Sequence, residues 1–189
     1  MVDKARLATN WQVVTGGPSS GKTTTVNLLR ERGYTITIEH ARHYLDLQRI
    51  EGHSVAEVRS RQLEFQLGVL TMQLAEEASL DPQRLVFLDR AIPDSLAYYR
   101  FLGLEPAPVL LEALQRVSYR TVFLLDLLPL APDYARTEDP AAQHRIHSLL
   151  AEVYRDLGFP VVEVPVLSPR ERVDFILERV SAQSAMKVS

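Results

Sequence analysis

The 189-residue chain contains no cysteine. That one absence removes a disulfide framework, a thiolate-bound zinc and a cysteine nucleophile together. Lysine is nearly missing as well. Lys4, Lys22 and Lys187 stand against eighteen arginines, and only Lys22 lies well inside the sequence. Asparagine occurs at Asn10 and Asn27 alone, neither followed by lysine, and no Asp-x-x-Gly follows Asp89. An Asn-Lys-x-Asp guanine-reading element is therefore lacking, which disfavours a Ras-type GTPase. The five histidines are scattered, so a zinc site is not expected.

Long apolar runs are also absent. The most apolar stretch, residues 121–132, is interrupted by Asp126 and Pro129 and falls short of the roughly 20 residues that cross a bilayer. Residues 1–10 carry no apolar core of a secretory leader. With a formal net charge of −3, the overall field recruits neither nucleic acid nor an anionic membrane. The expectation is a soluble cytoplasmic protein with no nucleic-acid partner and no membrane span, its oligomeric state left open.

What is present reads as a single domain, 1–189, with its core at about 11–180. Hydrophobic residues make up 46% and charged residues 24%, enough to bury a sizeable core. Strand-like and helix-like segments alternate. Strands are predicted at 11–15, 34–39, 84–89, 119–125 and 159–164. Helices are predicted at 22–32, 40–50, 92–102, 106–117, 140–157 and 168–181. A capping box, Ser54-Val-Ala-Glu57, opens one further long helix whose Leu63, Leu67, Leu70 and Leu74 form a stripe expected to face the core. Residues 182–189 are expected to fray. Strands separated by helices demand right-handed crossovers, hence a five-stranded parallel sheet covered on both faces, with ligands at the carboxyl ends of its strands.

The first such end reads Gly16-Gly17-Pro18-Ser19-Ser20-Gly21-Lys22-Thr23-Thr24, a full G-x-x-x-x-G-K-[ST] phosphate loop. It follows a strand and opens a helix, the context that gives the motif its meaning. Its glycines let backbone N–H groups turn around a phosphate chain. The helix start adds its positive end. Lys22 supplies a compact cation for the β- and γ-phosphates, and Thr23 a hydroxyl for Mg²⁺. The fold expectation is thus a three-layer α/β/α P-loop NTPase of kinase-like form.

Other strand ends supply the remaining candidates. Asp89 closes its strand as a second Mg²⁺ ligand, the competing role being a helix cap. Arg90 follows as a clamp for a phosphoryl oxygen or the acceptor. Glu39, ending strand two, can take a proton from an acceptor hydroxyl. Arg42 is expected to bind the acceptor, or to pair with Glu39 at i, i+3. Asp94, Ser95 and Tyr98 share a helical face and are candidates for acceptor contact, with packing and capping an equal account. The Pro-rich stretch 127–139 is expected to be a lid carrying Arg136, with Arg145 in a secondary role, to neutralise charge during transfer.

Taken together, the Gly16–Thr24 loop, Glu39-x-Ala-Arg42, Asp89-Arg90, Asp94-Ser-Leu-Ala-Tyr98 and Tyr154-Arg-x-Leu-Gly158 resemble the small P-loop NTPase family that includes the ribosylnicotinamide kinase domain of NadR. The Asp-Arg element is also similar to that of thymidylate and deoxynucleoside kinases. The resemblance spans about 11–180. It implies ATP and Mg²⁺ as cofactors, Glu39 and Asp89 as acidic site residues and Arg136 as a lid residue, and it leaves the acceptor unnamed. Two functions follow: a small-molecule kinase acting on a nucleoside- or nucleotide-like acceptor, or a nucleotide-dependent switch that binds a partner or lipid.

Overall fold

Alternation of short apolar strands with amphipathic helices builds a parallel sheet with helices on both faces. The computed structural model describes residues 8–129 and 139–185. In chain order the elements are β1 (Trp11–Thr15), α1 (Lys22–Glu31), β2 (Thr35–Ile36), α2 (His40–Ile50), α3 (Val55–Ser60), α4 (Gln62–Ser79), β3 (Val86–Asp89), α5 (Ile92–Leu102), α6 (Pro108–Leu114), β4 (Thr121–Leu125), α7 (Pro140–Asp156), β5 (Val161–Val164) and α8 (Pro169–Ala185). The five strands run parallel in the order β2-β3-β1-β4-β5. This is the expected three-layer α/β/α arrangement.

Side-chain alternation along the strands divides the core. Val14, Phe87, Phe123, Leu125 and Val164 meet Val26 and Leu29 of α1 and Val173 and Ile176 of α8. Leu124, on the opposite parity, joins the packing of α4, α5, α6 and α7. The central strand β1 is buried throughout, so the loop after it leaves from a fixed base between β3 and β4.

The structure departs from the sequence expectation most clearly at four points, besides element ends that fall a few residues short. β2 is two residues long because Asp89 N–H bonds to Thr37 Oγ1 (2.9 Å) and not to a backbone carbonyl, which ends the ladder before 37–39. The long helix breaks at Arg61, whose ψ of 60° is not helical. The leucine stripe is only partly core: Leu63 is 47% exposed, and the buried line of α4 is Gln66, Leu70, Gln73 and Glu77. Finally, α8 continues to Ala185 where fraying was expected from 182, tied down by Gln183 Nε2 on Thr121 Oγ1 (2.8 Å) and by Arg120. The proposed lid lies mostly outside the described residues; its first residues rest on the loop after β1, with Leu128 N–H bonding Ser19 O (3.2 Å).

Glu77 shows what the polar line of α4 costs. Burial raises its carboxyl from an ordinary 4.5 to about 8, against the opposing hydrogen bond from Tyr119 Oη (2.8 Å). A carboxyl whose native pKa lies above its unfolded value stabilises the fold below the unfolded value, and that contribution is lost as pH rises through the native one. Glu77→Gln should therefore match the wild type near pH 5 and exceed it in urea unfolding by pH 8 to 9. The gap should widen by up to ~1.4 kcal/mol per pH unit between those values. A pH-independent gap would contradict this account of Glu77.

Candidate functional site

The carboxyl ends of β1 and β3 open into a cleft of about 870 Å³, lined by the Gly17–Thr24 loop, α2, α4, α5 and the start of α7. Gly16 leaves β1 where an added Cβ would stand 2.8 Å from Leu125 O and 2.7 Å from Ser20 Oγ, so no larger residue fits that turn. Gly21 caps α1 at φ 76°, a left-handed angle that suits glycine. Lys22 begins α1 and is 6% exposed, its ammonium held against Asp89 Oδ1. Thr23 and Thr24 stay exposed at the cleft floor.

Glu39 precedes α2 and is 25% exposed, with Oε1 at 3.6 Å from Lys22 Nζ and Oε2 at 3.7 Å from Arg42 Nε. Arg42 itself projects into solvent at the rim. Arg90 is one of two non-glycine residues with positive φ among those described, at 68°; the other is Ser19 at 64°, also lining the cleft. Such angles are costly for residues with a Cβ and persist only when their surroundings enforce them. For Arg90 the enforcers are N–H to Val14 O (3.1 Å), Nη1 to Gly16 O (3.2 Å) and Nη1 to Asp94 Oδ1 (3.1 Å). Burial opposes its charge, but Tyr98, Asp94, Asp89 and Glu39 outweigh that and hold the guanidinium above its ordinary value. Tyr98 lies under it, 5.6 Å from ring centre to Cζ.

Asp94 is placed behind this group. Its carboxylate accepts from Thr15 Oγ1 (2.5 Å), Ala91 N (3.1 Å), Arg90 and Tyr154 Oη, so its oxygens are taken up inside the protein. Ser95 is buried beside it on the cleft wall. Arg145 is exposed and turned to Glu152 (4.0 Å), away from the cleft-lining residues. Arg136 lies outside the described residues.

Several residues that the fold brings to the cleft or its loop carry no local signal in the amino-acid order. Gln66 and Gln73 line the cleft from α4, both buried, with the Gln73 side chain against the Glu77 carboxyl. His40 is buried in the same wall, Nε2 2.8 Å from Glu76 Oε2. His147 of α7 accepts the Gly17 N–H through Nδ1 (3.4 Å), and burial pulls its imidazole below the ordinary value. Arg172 of α8 reaches the backbone of the loop from behind. The available signal for α4 was the glutamines at 62, 66 and 73, spaced by one and two helical turns among the leucines.

A glycine-rich loop feeding a helix from the central strand, with an acid at the end of the neighbouring strand, defines a P-loop protein of kinase-like form. The chain belongs to the AAA domain family, whose model matches residues 11–172. Solved structures share the fold. A deoxyadenosine kinase from M. mycoides with bound dATP aligns at a TM-score of 0.60 and 14% identity, over 90% of this chain and 98% of that one. Thymidylate kinase from Ehrlichia chaffeensis gives 0.61 and 13%, over 93% and 100%. NadR protein in complex with NR gives 0.66 and 19%, covering 90% of this chain and 49% of NadR. Identities this low mark a likeness of fold. No curated protein matches the sequence.

The Lys22–Asp89 pair carries the first test of the site. Removing one partner leaves the other charge buried alone, which costs about 3–5 kcal/mol. Lys22→Met should lower unfolding stability by roughly that amount, and adding Asp89→Asn should recover most of the loss. Equal destabilisation by the single and double variants in urea titrations would show that the pair does not set the energetics of the cleft.

Proposed function

We propose that the protein is an ATP-dependent phosphotransferase acting on a nucleoside-like acceptor. The observation that carries this reading is that the phosphate loop and a walled chamber are one continuous cleft, with Lys22, Glu39, Asp89 and Arg90 at their junction. Beyond the loop the cleft runs on between α4 and α5, past Gln66, Ser95 and Phe101, which is the room an acceptor beside the donor would need. The neighbours support the reading, since a deoxyadenosine kinase and a thymidylate kinase share this fold.

In this scheme the triphosphate lies along residues 16–24 and Lys22 leaves Asp89 for phosphate oxygens. Among the described residues no group of three acidic or histidine side chains can cage a metal alone. The fit is to a cation that keeps its waters and takes phosphate oxygens, as Mg²⁺ does. Thr23 and Asp89 would hold it, and it would neutralise charge on the phosphoryl group. Glu39 orients the acceptor hydroxyl and takes its proton; Arg90 stabilises the transferring group from its fixed, strained position. Gln66 and Gln73 offer amides to the polar edge of the acceptor, between Phe65, Tyr98 and Phe101. Lid residue Arg136 is assigned to charge neutralisation on sequence grounds. No helix among the described residues is long and apolar enough to cross a membrane, and we assign the protein to the cytoplasm with its small-molecule substrates.

The test is ADP formation from ATP across a panel of nucleosides and nucleoside monophosphates, with Lys22→Ala, verified as folded, as control. At least one nucleoside should raise turnover well above its acceptor-free level. Glu39→Gln should then lower kcat by about 10²–10⁴ with KM little changed, whereas Gln73→Leu should raise acceptor KM and spare kcat. ATP turnover indifferent to every acceptor would overturn the kinase reading in favour of a nucleotide-dependent switch.

A further inference from the structure

Arg172 stands in the first turn of α8, where the helix dipole disfavours a cation. It is nevertheless 2% exposed. Its guanidinium is held by main-chain carbonyls from three segments that meet only at the carboxyl edge of the sheet. Nη1 donates to Ser20 O in the phosphate loop, Nη2 to Asp126 O after β4 (3.1 Å) and Nε to Pro165 O after β5 (3.1 Å). Among the described residues no carboxylate lies within ion-pair distance of it. A buried cation that spends its donors on carbonyls is expensive, and its position calls for a reason beyond packing.

The Ser20 bond supplies one. In a trans peptide the C=O and the following N–H point in opposite directions, and none of the described peptides is cis. Drawing Ser20 O back onto Arg172 therefore turns the Gly21 N–H forward, toward the start of α1 and the cleft. A cation on the carbonyl also polarises the peptide and strengthens its N–H as a donor. The two groups are in close contact: a Cβ added to Gly21 would lie 3.3 Å from Arg172 Nη1. Because the same fork grips the backbone after β4 and after β5, the peptide is referenced to the sheet edge and not to the loop alone.

We infer that Arg172 is a positioning residue for phosphate binding: it sets the Ser20–Gly21 peptide with its N–H facing the phosphates and places a buried positive charge behind the loop. This rests on the nucleotide reading of the cleft and adds to it a side chain from the last helix. A lysine cannot replace it, since one ammonium lacks the planar fork that spans three carbonyls.

The test uses the full chain labelled with ¹⁵N-glycine, as wild type, Arg172→Lys and Arg172→Met, titrated with pyrophosphate by calorimetry and by amide NMR. Pyrophosphate should shift the Gly21 amide of the wild type and leave Gly33, Gly52 and Gly103 in place. In Arg172→Met the affinity should fall at least tenfold, and in Arg172→Lys at least threefold, with the Gly21 shift reduced by half or more in both. A folded variant that binds pyrophosphate within twofold of wild type, with an unchanged Gly21 shift, overturns the inference. Arg172→Lys, which keeps charge and length, decides the matter if Arg172→Met does not fold. Wild-type protein that binds neither pyrophosphate nor ADP would overturn the nucleotide reading itself.

Discussion

The Lys22 ammonium against the Asp89 carboxylate is the contact around which the cleft is organised. Both groups are buried, one brought by the helix after β1 and the other by the end of β3, the strand paired to β1 with Val14 opposite Asp89. Two charges withdrawn from water are tolerable only when they satisfy each other. The parallel register of β1 and β3 is thus coupled to the loop geometry: a slip of either strand would strand one of the charges. In the proposed reaction a phosphate chain entering the loop would offer Lys22 a second partner and free Asp89. The pair holds together the two charges that the proposed phosphoryl transfer would separate.

Around that pair the cleft is close to balanced. Lys22, Arg42, Arg59 and Arg90 stand against Glu39, Asp89 and Asp94 in its lining, and the chain carries a net charge of −3. Attraction for an anion is therefore a matter of local geometry: loop amides, the start of α1, and Arg172 set behind the loop. Strain is concentrated in the same place. Arg90 is fixed in a left-handed conformation by Val14, Gly16 and Asp94, and Asp94 is itself fixed by Thr15 and Tyr154. One side chain on α5 thereby joins the first strand, Arg90 and α7. This explains why Asp94, which shares a helical face with Tyr98, works as a support for Arg90 in the structure.

Much of this was legible in the amino-acid order. Gly16–Thr24 identifies itself because its chemistry is local: turn angles, a helix start and a cation within nine consecutive residues. Asp89 and Arg90 were legible because strand ends are readable from apolar runs. The rest depends on contacts between distant segments. β2 looked six residues long from its β-branched alternation, and only the Thr37 hydroxyl capturing the Asp89 amide cuts it to two. The leucines of α4 pointed to one face, and the break at Arg61 together with the cleft selected the glutamine face next to it. Arg172 lies 152 residues from the carbonyl it holds, beyond the reach of any local pattern, although a cation in the first turn of a helix was itself an irregularity.

The exchange of partners at Lys22 and Asp89 is the centre of the proposed mechanism. It is tested most directly by measuring ATP affinity with and without Mg²⁺ in the wild type and in Asp89→Asn. If Asp89 is released from Lys22 to the metal, Mg²⁺ should tighten ATP binding strongly in the wild type and at least tenfold less in the variant. An equal effect of Mg²⁺ on both proteins would contradict it.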